Sequence, residues 1–325
     1  MKTTRYNHRL PAGASTPLAP GARGFCRRAI GPRVLALLLI LTATTAGDLA
    51  TVAAQEAVAG WNLRGGLVAG ANPTALGLTG SLERVVPLYT EREGLLWDSG
   101  QITPSLGVMT NPTFTDVVAQ LYVEPIVFFD LTLAGGIRSF YTFAGLGFVP
   151  LEGYDADLPS ATGDDFEGEN QVGSFFSVTP RVKFAAGPIL GTNAFSATYH
   201  NFSGADSSHM EEPITLTAIE TSDWVFSNTT RLLYPLGEGA PGSQPRRRLL
   251  FAAAGVEYNI NWVPAASSDD QPASHRVSAM GVGVWGLGEQ SALEAAAFLG
   301  SHVTGEPIDA TRPYVLTAVS LLRRF

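Results

Sequence analysis

One cysteine and two lysines are all that this chain of 325 residues contains of either type. Cys26 lies upstream of an apolar run, so residues 55–325 hold no thiol, which excludes disulfides and cysteine-ligated metal there. Lys183 is the one lysine beyond residue 54. No apolar segment past that point approaches the ~20 residues of a spanning helix. Charged residues make up only 15% of the chain, and acids outnumber bases by 29 to 21. Residues 1–54 carry seven Lys/Arg and one Asp, so the formal charge of −8 falls to −14 once they are set aside. Such a surface disfavours nucleic acid as a partner. Gly-rich phosphate loops, zinc spacings and nucleotide fingerprints are also missing, and no cofactor is expected.

What is present begins with an export pattern. Lys2, Arg5, Arg9, Arg23, Arg27, Arg28 and Arg33 form a basic region, Val34 to Leu41 an apolar one, and small residues follow. This predicts a signal peptide over 1–54, cleaved after Ala54 or, as a second choice, after Ala46. The apolar run is too short for a retained anchor, and Cys26 precedes it, so it is not the lipidated residue of a lipoprotein signal.

Beyond residue 54 the signal is alternation. Phe176, Val178, Pro180, Val182 and Phe184 share one face of an extended segment, and Ser177, Thr179, Arg181 and Lys183 the other. Leu250 to Trp262 repeats this, with Val256, Tyr258, Ile260 and Trp262 opposite Glu257, Asn259 and Asn261. Leu131 to Phe143 and Val117 to Val123 do the same, with Phe140, Phe251 and Ala253 as apolar exceptions on the polar face. A soluble sandwich would also alternate, but runs of roughly 12–16 residues exceed the usual globular strand of about 5–6. They suit tilted membrane strands, which must close into a barrel because an open edge in lipid leaves backbone groups unpaired.

Twelve strands are expected near 58–70, 74–88, 95–109, 113–128, 131–147, 171–187, 190–203, 221–236, 247–263, 274–288, 291–304 and 311–325, with ten to fourteen as the range. Tight turns are expected at Phe129-Asp130, Pro188-Ile189 and Glu289-Gln290, and long loops over 148–170 and 204–220. The stretch 236–246 is long on the side that should be short. Val277 to Leu287 is apolar on both faces, and Leu293 to Leu299 also reads as a short helix. Trp61, Trp97, Tyr141, Phe143, Tyr199, Trp224, Tyr234, Trp262 and Tyr314 lie near strand ends, as interfacial girdles do.

The last segment, Tyr314 to Phe325 (YVLTAVSLLRRF), ends on an aromatic residue. With the export pattern and the long alternating segments, it resembles the closing strand of a Gram-negative outer-membrane β-barrel. That resemblance implies an all-β, antiparallel up-and-down transmembrane barrel over 55–325, located in the outer membrane. Its partners would be outer-membrane lipids, lipopolysaccharide and the assembly machinery, the last recognising Phe325, Leu321, Val319 and Tyr314. Arg323 and Thr317 stand where that pattern has apolar residues.

Three clusters are candidates for function. His200 and Ser203 bring to mind lipid hydrolases with His and Ser two apart, but a spacing of three puts them on opposite strand faces. Ser207 and His209 have the spacing in reversed order. The acidic residues Glu152, Asp155, Asp157, Asp164, Asp165, Glu167 and Glu169 lack an EF-hand pattern and read as a solvated loop. The third cluster is the predicted lumen wall. Arg138, Arg181, Lys183 and Arg231 face inward, with Asp116, Glu124, Glu257 and Glu294 facing them. In an open pore such rows select solutes by charge; in a closed barrel they pair and fill the interior. A narrow passive channel is the leading expectation. The alternatives are a structural or adhesive barrel acting through its outer loops, and a lipid-modifying hydrolase at His200.

Overall fold

Extended backbone points its N–H and C=O groups sideways, so each long alternating segment needs a neighbour on both edges. The computed structural model satisfies all of them in one ring. It describes residues 59–71, 75–89, 96–97, 99–142, 147–156, 168–236, 248–267, 271–304 and 313–325. The expected signal segment lies outside these, as do Phe143 and most of 236–246.

Fifteen strands occur among the described residues: β1 (Gly60–Ala71), β2 (Ala75–Pro87), β3 (Gln101–Thr110), β4 (Phe114–Ile126), β5 (Phe129–Phe140), β6 (Pro150–Leu151), β7 (Gln171–Ala186), β8 (Ile189–Asn201), β9 (His209–Glu212), β10 (Thr217–Glu220), β11 (Ser222–Pro235), β12 (Arg248–Trp262), β13 (Ser274–Gly286), β14 (Ser291–Thr304) and β15 (Pro313–Arg324). Twelve form a closed antiparallel barrel, each paired with its sequence neighbours, with β1 and β15 closing the ring. The other three form a small sheet in the order β10-β9-β6.

The twelve expected strands are thus all present, with shifted ends. Strand β3 begins at Gln101 rather than 95, and β5 stops at Phe140 because Tyr141 leaves the ladder to bond the neighbouring turn. There Asn111 Oδ1 accepts from the backbone N–H groups of Thr113 and Phe114, both at 2.8 Å. Tyr141 donates its hydroxyl to Asn111 O and N–H to Thr113 O, so one aromatic pins the β3–β4 turn. Two tight turns fall earlier than expected, at Val127-Phe128 and Gly187-Pro188; Gly187 has φ 61°, which a side chain would make costly. The segment Leu293–Leu299 is strand, not helix.

Parity behaves as a barrel requires. Leu78, Leu106, Ile137, Phe176, Val256 and Leu299 project outward and are among the exposed large apolar residues, forming the surface that hydrocarbon would cover. At the start of β12 the register shifts between Leu249 and Phe251. This bulge turns both Leu249 and Leu250 outward, where strict alternation would have put Leu249 inside. The apolar inner positions of β13, Met280, Val282 and Val284, are buried, which explains why that segment reads as apolar on both faces. Trp61, Trp224 and Tyr234 are exposed near strand ends, as a girdle needs, but Tyr314 faces the interior and is 3% exposed. It therefore belongs to the inner wall and not to the outer aromatic belt.

The lumen wall and its cap as candidate functional site

Every inward charge expected from the sequence is buried and paired. At the end carrying the β4–β5 and β7–β8 turns, Asp130 accepts from Arg181 Nε at 2.9 and 3.0 Å, and Lys183 Nζ lies 3.0 Å from both Asp130 Oδ2 and Glu124 Oε1. Tyr122 donates to the other oxygen of Glu124 at 2.6 Å. Two carboxylates and two cations balance here, within three adjacent strands. Asp130, which the sequence reading puts in a turn, lies in β5 on the inner face and joins Arg181 to Lys183.

At the opposite end, where the long loops lie, Arg138 bonds both oxygens of Asp116, each at 2.8 Å. Its remaining nitrogen, Nη1, donates to Glu212 Oε1 at 2.7 Å. The guanidinium sits 4.6 Å from the ring centre of Phe114 and 5.6 Å from that of Phe175. Gly136 makes this stack feasible, since a Cβ there would overlap the Phe175 ring and the Val117 carbonyl. Elsewhere Arg231 Nε donates to Glu257 at 2.7 Å, Arg276 approaches the same carboxylate at 3.6 Å, and Arg64 pairs with Glu294.

Glu212 belongs to the small sheet, outside the barrel strands. Its Oε2 accepts from the N–H groups of Ile214 and Thr215 at 2.9 and 2.7 Å, which shapes the β9–β10 turn. One carboxylate thus folds a loop hairpin and fastens it to the barrel wall. Burial acts to raise its pKa, but Arg138, His200 and the Thr215 N–H together hold it below the ordinary glutamate range. Around it Phe114, Phe140, Phe148, Phe202, Met210 and Ile219 form an apolar cluster between the sheet and the barrel interior. Tyr154 donates to Asp223 at 2.8 Å, a second tie between loop and wall. The described parts of the two loops that sequence reading left as irregular acidic and polar stretches therefore form a cap.

Between the two charged ends the wall changes character. Ser81, Thr103, Ser105, Ser177, Thr179, Ser196 and Thr198 face inward and are only half-buried. Thr179 and Ser196 join across β7 and β8 at 2.9 Å. Small hydroxylated side chains leave room in a barrel of this size, where bulky ones would fill it.

The hydrolase arrangement is not assembled. His200 is 3% exposed, lies against the rings of Phe175 and Phe202, and its Nδ1 has no hydrogen-bond partner among the described residues. Ser203 sits in the exposed turn after β8, and His209 Nδ1 meets Ser208, not Ser207. Of the acidic loop, Glu152, Asp155 and Glu169 are described; Asp157, Asp164, Asp165 and Glu167 lie outside the described residues, and no group of metal-ligating side chains occurs among the described ones. Phe325, Leu321 and Val319 are exposed on the outer face, and Tyr314, expected to act with them, is turned away from it.

No family model matches this chain, and no curated protein matches it. Solved structures to which it is similar include the NanC porin, 7% identical, covering 82% of this chain and 100% of that one with a TM-score of 0.36. The β domain of the Bordetella autotransporter BrkA is 12% identical, covering 82% and 99%, with a TM-score of 0.42. The translocator domain of the autotransporter NalP from Neisseria meningitidis is 10% identical, covering 90% and 100%, with a TM-score of 0.38.

Proposed function

We propose that this chain is an outer-membrane barrel that passes small polar solutes through a narrow lumen capped by its own loops. The observation that carries this reading is the half-buried hydroxyl band at Ser81, Thr103, Ser105, Ser177, Thr179 and Ser196. A barrel that is only structural gains more from filling that band with large apolar side chains. Paired charges at either end set the polarity of the path without obstructing it, and the β6, β9 and β10 sheet limits access from outside. Residues 1–54 direct export, the long loops face outward among lipopolysaccharide, and Phe325, Leu321 and Val319 present the closing strand to the assembly machinery.

A planar-bilayer recording tests it. The wild type is expected to give a small, steady conductance, and Glu212→Gln, which loosens the cap from Arg138, a larger one. Silence in both variants would leave the second reading. In that reading the barrel is a scaffold for its outer loops, and the specific support for it is the same Arg138–Glu212 tie together with the apolar cluster beneath the cap.

A further inference from the structure

The outer face of β8 and β11 carries a polar spot at a depth where hydrocarbon has nothing to pair with it. Outward residues of β11 run Trp224, Phe226, Asn228, Thr230, Leu232 and Tyr234. Trp224 and Tyr234 are the exposed girdle residues at its two ends, and the tilted strand between them crosses about 25 Å, the height of the apolar band. Asn228 and Thr230 therefore lie at its middle. Asn193 of β8 stands directly opposite Thr230 and shares that depth. All three are half-buried, framed by Val182 opposite Asn193 and Ile260 opposite Asn228. Among the described residues no other side-chain amide faces outward away from a strand end.

One copy does not saturate this spot. Asn193 Nδ2 spends both hydrogens, on Asn228 Oδ1 at 2.9 Å and Thr230 Oγ1 at 2.8 Å, and Asn228 Nδ2 donates one to Asn193 Oδ1 at 3.2 Å. Left over among the described residues are one N–H of Asn228, the Thr230 hydroxyl hydrogen and a second lone pair on each amide oxygen. Lipid tails can pair with none of these. Thr317, an outward hydroxyl on β15, is placed differently, because it donates to Ala69 O at 3.1 Å within its own chain.

We infer that two copies of this chain associate along β8 and β11, each pairing its Asn193, Asn228 and Thr230 with those of the other. Copies inserted by the same route face the same way, so the two-fold axis relating them runs along the membrane normal and every residue meets the second copy at its own depth. Polar groups at mid-depth seldom face lipid in a membrane protein, yet a second copy is certain to have them there. Two donors and two acceptors remain, so the cluster is its own complement. On its loop side Phe195, Phe226 and Trp262 pack ring against ring at 5.6 to 6.0 Å, an apolar shoulder beside the amides. The inference goes beyond the channel reading and rests only on the barrel lying in a membrane.

Sedimentation equilibrium of the folded protein in density-matched detergent micelles tests it, with the gel shift between unboiled and boiled samples reporting that each variant is folded. The wild type should show a reversible equilibrium between monomer and dimer. Asn193→Leu combined with Asn228→Leu should weaken association at least tenfold and keep the gel shift. Should the leucines block folding by their bulk, alanine at both positions makes the same test. Leu78→Ala, on β2 at the far side of the ring, should leave association unchanged. A wild type that stays monomeric at every concentration, or a dimer indifferent to the loss of both amides, overturns the inference while leaving the barrel intact. Absence of the gel shift in the wild type overturns the barrel beneath it as well.

Discussion

The two sides of the barrel interior are built by the same alternation and end in opposite states. Along β4, β5, β7 and β11, acids and bases stand directly across from each other: Asp116 opposite Arg138, Asp130 opposite Arg181, Arg231 opposite Glu257. Direct cross-strand neighbours are close enough to pair, and these pairs are buried and spent on structure. On β13 and β14 the neighbours of Arg276 are Asn259 and His302, and the carboxylate it reaches, Glu257 at 3.6 Å, is already held by Arg231 at 2.7 Å. An inward charge in this barrel is therefore tied down where an opposite charge lies within reach, whether at its own register, as for Arg138 and Asp116, or two strands away, as for Lys183 and Glu124. Its presence in the wall does not decide the matter.

That contrast can be broken most forcefully on the paired side. Arg138→Leu leaves Asp116 and Glu212 buried without their cation, and should cost about 3–5 kcal/mol, read as a lowered unfolding midpoint in urea and as protease cleavage between residues 204 and 220. Arg276→Leu, on the open side, should cost much less. Equal losses would erase the distinction. A lipid-facing Val256→Arg should cost ~2–4 kcal/mol and slow assembly, measured by the gel shift between unboiled and boiled samples, whereas Ser105→Arg, inward in the hydroxyl band, should assemble.

Acid should loosen the cap in particular. The carboxyl of Glu212 is held below its ordinary range in the folded protein, so its stabilisation is complete above the unfolded value of about 4.3 and drains away as pH falls through the lower folded value. Limited proteolysis across that window should release the β9–β10 hairpin before the barrel unfolds, and Glu212→Gln should remove the pH dependence. The smallest effect belongs to the outer face, where Asn193 bonds Asn228 and Thr230 at 2.9 and 2.8 Å. Such bonds are worth about 0.6 kcal/mol in membranes, so replacing Asn193 and Asn228 together with leucine should shift the midpoint barely at all.

The barrel was legible because its determinants are local: period-2 alternation in Phe176 to Phe184 or Leu250 to Trp262 reports facing without any knowledge of neighbours. Inward placement of Arg138, Arg181, Lys183, Arg231, Glu124 and Glu257 followed from that parity alone. Their partners required register, which depends on turn lengths, and the turns at Val127-Phe128 and Gly187-Pro188 fall one or two residues away from where composition suggests. Glu212 escaped notice because its role needs Arg138, 74 positions earlier. Two short extended runs flanking Pro213 to Leu216 were the available sign of its hairpin. Arg276 and His302 were hidden by the apolar inner positions of β13 and β14, which blur alternation where the wall is most hydrophobic.

The seam between β1 and β15 has a consequence for the time course of folding. Asn62 pairs with Arg324, and Trp61 exchanges backbone hydrogen bonds with Phe325. Every other barrel pairing joins barrel strands that follow one another along the chain, whereas closing this one across roughly 260 residues costs about 5 kcal/mol of loop entropy if nothing else has formed. The ring must therefore shut last, after eleven hairpin pairings have shortened the gap. Until it does, β1 and β15 are two bare edges, and the lifetime of that open intermediate sets how long the nascent barrel can mispair with another chain.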